Sequence, residues 1–306
     1  VRTAARLIPG TRLTADRWAA VAALTLVGAA ALVGAALGWA GHPVHAPAAP
    51  LFGHVMPHVG ALVDGWQRGV AGRLTTPFEY LSEVPGVTDV RAMLRGFTDH
   101  ILLGSPDNWT THVSGHPPGV LLVFVGLDRL GLHGGGWAGV FCILVGGVAT
   151  AAVAVTLRAL GDEAAARAAL PFLVLFPGAV WVGVSADGMF MGVAATSLAL
   201  LAVGLSRPSW WCSVLGGAGL AACAYLSYGL VLLALPAAAV VVAARSRRPL
   251  MLGFALAGAG AVVATMSGLG FDWWEGYRLV KVRYYQGLAS ARPYGYWVWG
   301  LSLIHI

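Results

Sequence analysis

Gly136-Trp137-Ala138-Gly139-Val140-Phe141-Cys142-Ile143-Leu144-Val145-Gly146-Gly147-Val148-Ala149-Thr150-Ala151-Ala152-Val153-Ala154-Val155-Thr156-Leu157 runs for 22 residues without a charge. A helix of about 20 apolar residues is what a hydrocarbon core of roughly 30 Å requires. The same pattern recurs over about Ala19–Ala40, Ala168–Gly183, Gly188–Leu205, Trp210–Leu226, Tyr228–Ala244 and Leu250–Phe271, and another run begins near Tyr294. Hydrophobic residues make up 58% of the 306-residue chain and charged residues 10%, with a mean hydropathy of +0.75. About a quarter of the residues of a soluble domain are charged, so the chain reads as an all-α polytopic membrane protein of about seven to eight transmembrane helices. The run over 19–40 is longer than the apolar region of a cleaved leader and is read as a retained first span.

The net charge of +6 would suggest nucleic acid in a soluble chain, but here the arginines flank the spans and set orientation. Arg2, Arg6, Arg12 and Arg17 place the N-terminus in the cytoplasm, and Arg245-Ser246-Arg247-Arg248 belongs on the same side. Counting crossings from these clusters puts 41–118 and 272–293 on the outer face. The piece Gly119–Leu132 is only fourteen residues and carries Asp128 and Arg129, so it is expected to be a half-helix and not a crossing. Only Lys281 among nineteen basic residues is lysine, a bias that with the abundant Ala and Gly suggests GC-rich bacterial coding. Cys142, Cys212 and Cys223 fall in apolar runs without metal-type spacing and read as small buried hydrophobes.

The outer segment 41–118 is the unusual element. It holds seven of the nine histidines and the carboxylates Asp64, Glu79, Glu83, Asp89, Asp99 and Asp107. A connection of this length normally carries its own structure or a function. Val55–Val70 and Asp89–Leu103 are expected to form short interfacial helices, and Pro106-Asp107-Asn108 a turn leading back to the bilayer. The pairs His42/His45 and His54/His58 are interrupted by Pro43 and Pro57, which argues against a metal site there, and no metal ligand is assigned.

Four groups of residues could carry chemistry. In His112-Val113-Ser114-Gly115-His116-Pro117-Pro118-Gly119 the prolines hold an extended backbone before a helix start and fix where His116 points. His112 and His116 could hold a phosphate or orient a hydroxyl; the alternative is a polar turn that opens a helix. Asp187 stands between two apolar runs, where an ionisable group is expensive unless paired or functional; alternatively Ser185 or Asp187 simply caps the next helix. Asp64 and Glu79 are the candidates for a general base among carboxylates that otherwise read as solvated surface charge. Arg278, Lys281 and Arg283 lie among Trp273, Trp274, Tyr277, Tyr284, Tyr285, Tyr294 and Tyr296, a mixture suited either to interfacial anchoring or to clamping a lipid phosphate.

His116-Pro117-Pro118-Gly119 before an apolar helix, then Leu157-Arg158-Ala159-Leu160-Gly161 with Ala164–Arg167, Pro171-Phe172-Leu173, and Ser185-Ala186-Asp187-Gly188, resembles the polytopic C-type glycosyltransferases. These include protein mannosyltransferases and aminoarabinose transferases that use polyprenyl-phosphate sugars. The resemblance covers about Trp109–Leu205, and the first span and outer loop agree with it in layout. It implies a transferase at the outer face of the plasma membrane, inverting at the anomeric carbon, in which an acceptor hydroxyl attacks with help from a carboxylate. His116 matches the position near the lipid phosphate, and Asp187 the outward-facing Asp of that family. An acidic residue soon after the first span is also expected; here the first carboxylate, Asp64, comes late and has no acidic neighbour. The assignment is therefore Asp64 as base with Glu79 as substitute, His112, His116, Arg278, Lys281 and Arg283 at the phosphate, and Asp187 lining the pocket. The implied partners are a polyprenyl-phosphate-linked sugar, a glycan, lipid or protein acceptor, and the bilayer; no cofactor is assigned, and metal dependence is not readable. The rival readings are a transporter or flippase of lipid-linked glycans and a non-catalytic cell-envelope protein.

One membrane domain over 1–300 is the simplest organisation. Family members are usually longer, and the chain stops as a new span begins, so a C-terminal truncation is expected. Leu301-Ser302-Leu303-Ile304-His305-Ile306 reads as a non-native tail.

Overall fold

The computed structural model describes residues 66–175, 179–244 and 249–287, without the side chains of 180 and 181. The chain divides into two compact units, Val1–Gly69 and Val70–Ile306. Of the first, only residues 66–69 are described, as the start of one π-helical turn, Trp66–Ala71. The expected first span, Asp64, the clusters at 42–58 and 245–248, the run near Tyr294 and the tail 301–306 lie outside the described residues.

Among its described residues the regular structure of the second unit is helical. Short 3-10 turns over Tyr80–Ser82 and Val84–Gly86 lead to α1, Val90–Gly96, whose Asp89 carboxylate accepts from the amides of Arg91 and Ala92. That cap is why the expected helix over Asp89–Leu103 starts where it does. It tightens to a 3-10 turn, Phe97–His100, after Gly96. Asp107 then takes a positive φ of 50° in the expected Pro-Asp-Asn turn. A single helical turn, α2, covers Thr111–Gly115, and α3 covers Gly119–Arg129.

The apolar runs form the bundle. They become α4, Gly134–Ala159; α5, Glu163–Val174; α6, Ala179–Val182; α7, Ala186–Ser206; α8, Trp210–Leu226; α9, Ala234–Ala243, reached through a 3-10 turn over Tyr228–Leu233; and α10, Pro249–Gly268. Helices α4, α7 and α10 are long and apolar enough to cross a membrane, and α8 and the Tyr228–Ala243 stretch are shorter apolar helices. The described residues are thus those of an all-helical protein of membrane type. Two expected runs are not single helices. Pro171 lies inside α5, which ends three residues later, and Pro236 lies in α9 behind its 3-10 start; each proline removes an amide that the helix would use.

Glycine sets the closeness of the helices. A Cβ on Gly192 of α7 would collide with the Val145 carbonyl of α4, and one on Gly217 of α8 with the Ala255 carbonyl of α10. Bare backbone at such positions lets helices pack by direct van der Waals contact, which replaces the hydrophobic drive that lipid does not supply. At the far end Leu201, Leu205, Val240, Ala244, Met251 and Ala255 close a core between α7, α9 and α10.

Helix α3 does not cross the bundle. Eleven residues reach only about 16 Å. Gly119 at its start packs on the Tyr225 backbone at the end of α8, and Arg129 at its other end donates to the Val87 and Thr88 carbonyls at 3.4 and 3.0 Å. The last helix, α11, Trp273–Tyr285, docks on the same region. Thr98 Oγ1 donates to Glu275 Oε2 at 3.2 Å, and the Leu103 amide to Gln286 Oε1 at 2.8 Å.

Candidate functional site

The site forms where segment 72–118 meets the first turn of α7. Pro77 sits in the turn Thr76–Glu79, closed by the Glu79 amide donating to the Thr76 carbonyl at 3.0 Å. Glu79 precedes the Tyr80–Ser82 turn in an extended conformation and its side chain makes no capping bond, so the carboxylate points elsewhere. Two bonds fix what it meets: the His112 amide donates to the Phe78 carbonyl at 3.1 Å, and the Thr110 amide to Glu83 Oε1 at 2.8 Å. These hold α2 alongside the 3-10 turns and set His112 Nδ1 3.3 Å from Glu79 Oε2. The separation is that of an ion pair, without the alignment of a hydrogen bond.

His116 ends α2 in an extended conformation, as the Pro-Pro pair demands; the residues before it are helical and not extended as expected. Its ring folds back so that Nδ1 lies 2.9 Å from the His112 carbonyl oxygen. Tyr80, 3% exposed, is the hub of this region. Its ring stacks on His112 at 6.0 Å, meets His116 edge-on at 5.9 Å and packs on Phe124 of α3 at 5.8 Å, while Phe190 of α7 stands 5.8 Å from His116.

Asp187 lies in the first turn of α7, exposed. The cap is Ser185, whose Oγ accepts from the Gly188 amide at 3.1 Å, so Asp187 is not spent on capping. Its charge acts on Tyr80, His112 and His116 together. The two imidazoles are pushed in opposite directions. Glu79 beside it holds His112 above the ordinary histidine value of 6.5, against the opposing effect of burial. Burial takes His116 below 6.5, only partly offset by its bond to the His112 carbonyl and by the Asp187 carboxylate. Tyr80 is held well above the usual phenol value by burial and then by the Asp187 and Glu79 charges. The cationic form is thus favoured on His112 and the neutral form on His116.

The basic residues of α11 are divided. Arg283 reaches the site region, its Nε donating to Oγ of the buried Ser114 at 3.3 Å. Lys281 lies over the Tyr277 ring, 4.9 Å from the centroid, and Arg278 is exposed. Trp273 and Trp274, with Tyr225, Phe271, Val231 and Val263, line a separate cleft of about 560 Å³. Glu79, His112, His116 and Asp187 are not among its lining residues. Among the described residues no group of three or more His, Cys, Asp or Glu is arranged to hold a metal ion.

Two residues here were not read from the sequence. Arg73 is half-buried within the field of Glu79, its pKa lowered by burial and raised by that carboxylate. Tyr80 carried no signal beyond its place next to Glu79, whereas Arg73 could have been found as the cation nearest in sequence to that acid. Comparison of the chain with family models, curated proteins and solved structures finds no match.

Proposed function

We propose that the chain is a membrane glycosyltransferase that moves a sugar from a polyprenyl-phosphate donor to an acceptor hydroxyl at the outer face of the plasma membrane. In this reading it has seven or eight spans, a cytoplasmic N-terminus, and 41–118 and 272–293 outside. The observation that carries the reading is the gathering of Glu79, His112, His116 and Asp187 around Tyr80, with Arg283 brought close through Ser114. A transferase of this kind needs a cation for the leaving phosphate, a proton acceptor for the attacking hydroxyl and negative charge near an anomeric carbon that becomes cationic. His112 with Arg283 supplies the first. Asp187 supplies the third, and the α11 cations and aromatics would receive the lipid phosphate and its chain from the membrane side.

A transporter fits less well. Alternating access places polar groups at mid-membrane, yet the buried polar side chains of the described bundle are Ser197 and Ser213, and Ser197 is bonded within its own helix to the Val193 carbonyl at 2.7 Å. The test is sugar transfer by the purified protein in liposomes that contain a polyprenyl-phosphate sugar. The reading expects polyprenyl phosphate to be released with turnover. Binding and movement of the intact donor across the bilayer without bond cleavage would favour a flippase.

A further inference from the structure

His116 is held in one tautomer. A carbonyl oxygen only accepts, so Nδ1, 2.9 Å from the His112 carbonyl, carries the hydrogen, and the lone pair of the neutral ring sits on Nε2. Tyr80 and Phe190 fix the ring from two elements. The bond to the carbonyl uses Nδ1 and leaves Nε2 for another partner. Glu79 is paired with His112 at 3.3 Å.

We propose that His116 Nε2 accepts the proton of the attacking hydroxyl, an assignment that rests on the transferase reading. The acceptor O–H bond breaks as its proton passes to Nε2, and the oxygen forms a bond to the anomeric carbon. The bond from that carbon to the phosphate oxygen breaks, and its electron pair leaves with polyprenyl phosphate. The His116 imidazolium then returns its proton to water. The groups that act on it are Asp187 and Glu79, which stabilise the cation, and His112, which opposes it. Tyr80 stays neutral, and Phe190 and Phe124 carry no charge. Burial keeps the resting ring neutral near pH 7, the form a base requires.

The experiment is the liposome assay, run as a pH profile of kcat/KM for wild type, His116→Gln and His112→Gln. Glutamine keeps an acceptor at position 116 but takes no proton. The expected result for His116→Gln is a fall in kcat of about 10²- to 10⁴-fold with the acid limb of the profile lost. Donor KM should stay within about threefold, since uniform binding is untouched. His112→Gln should keep the acid limb and raise donor KM. Wild-type kcat in His116→Gln, a persisting acid limb, or a loss confined to donor KM overturns the proposal while leaving the transferase intact. Absence of transfer by the wild-type protein from any polyprenyl-phosphate sugar overturns both. A measurement without turnover guards against a variant that misfolds: ¹⁵N NMR of the wild-type protein should show His116 as the Nδ1–H tautomer, and an Nε2–H tautomer overturns the assignment.

Discussion

His112 and His116 are four residues apart, yet their pKa values move in opposite directions from 6.5, because His112 pairs with Glu79 while burial dominates at His116. Between the two, on either side of pH 6.5, the site holds a cation and a neutral acceptor at once, so kcat/KM should be bell-shaped. Glu79→Gln removes the main cause of the raised His112 value, and the alkaline limb should move to lower pH. The same pairing affects stability. A raised folded-state value means that its contribution is fully present below 6.5 and is lost as pH rises through the His112 value. With His112 44% exposed, solvent screening leaves it under about 1 kcal/mol, so Glu79→Gln should lower the melting temperature slightly in acid and not at all in alkali. Glu79, His112, His116 and Asp187 were legible in the sequence because polar groups beside apolar runs are conspicuous. What the sequence did not show was the fold-back of His116 onto the His112 carbonyl and the ring of Tyr80 against both imidazoles.

At the scale of elements, the packing of α4 on α7 places the site, because Asp187 opens α7 and Gly188 sits against Gly146. Neighbouring glycines make a controlled test. A Cβ at Gly146 would come 3.0 Å from the Gly188 carbonyl oxygen, whereas one at Gly147 would meet nothing within 4 Å. Gly146→Leu should therefore cost about 1–3 kcal/mol or more, and Gly147→Leu should be near neutral, as read by thermal unfolding in detergent. Equal melting temperatures for the two variants would contradict this packing. Helix positions were largely readable from charge-free runs, and α8 matches its expected bounds residue for residue. The runs over 168–183 and 228–244 were read as whole helices because hydropathy averages over a window and does not register a single missing amide at Pro171 or Pro236.

For the molecule as a whole, the arginine distribution and the alternation of helix ends make a definite statement about sidedness. Arg158, Glu163 and Arg167 form an ion-pair group at the turn between α4 and α5, with Glu163 2.7 Å from Arg158 and 2.9 Å from Arg167. That turn should face the cytoplasm and α1 the outside. The three native cysteines are buried, so single-cysteine labelling has little background. Arg91→Cys should react with an impermeant thiol reagent added to intact cells, and Ala164→Cys only after the membrane is opened; the opposite pattern would invert the topology. Sidedness is an expectation from charge counts, and Asp64 lies outside the described residues. The central claim, that the cluster around Tyr80 performs sugar transfer, is tested most directly by comparing wild type with Asp187→Asn in turnover of a polyprenyl-phosphate sugar. Loss of one charge preorganised at a developing cation predicts a fall in kcat of about 10²-fold or more at unchanged melting temperature. Turnover equal to wild type in Asp187→Asn would contradict the account.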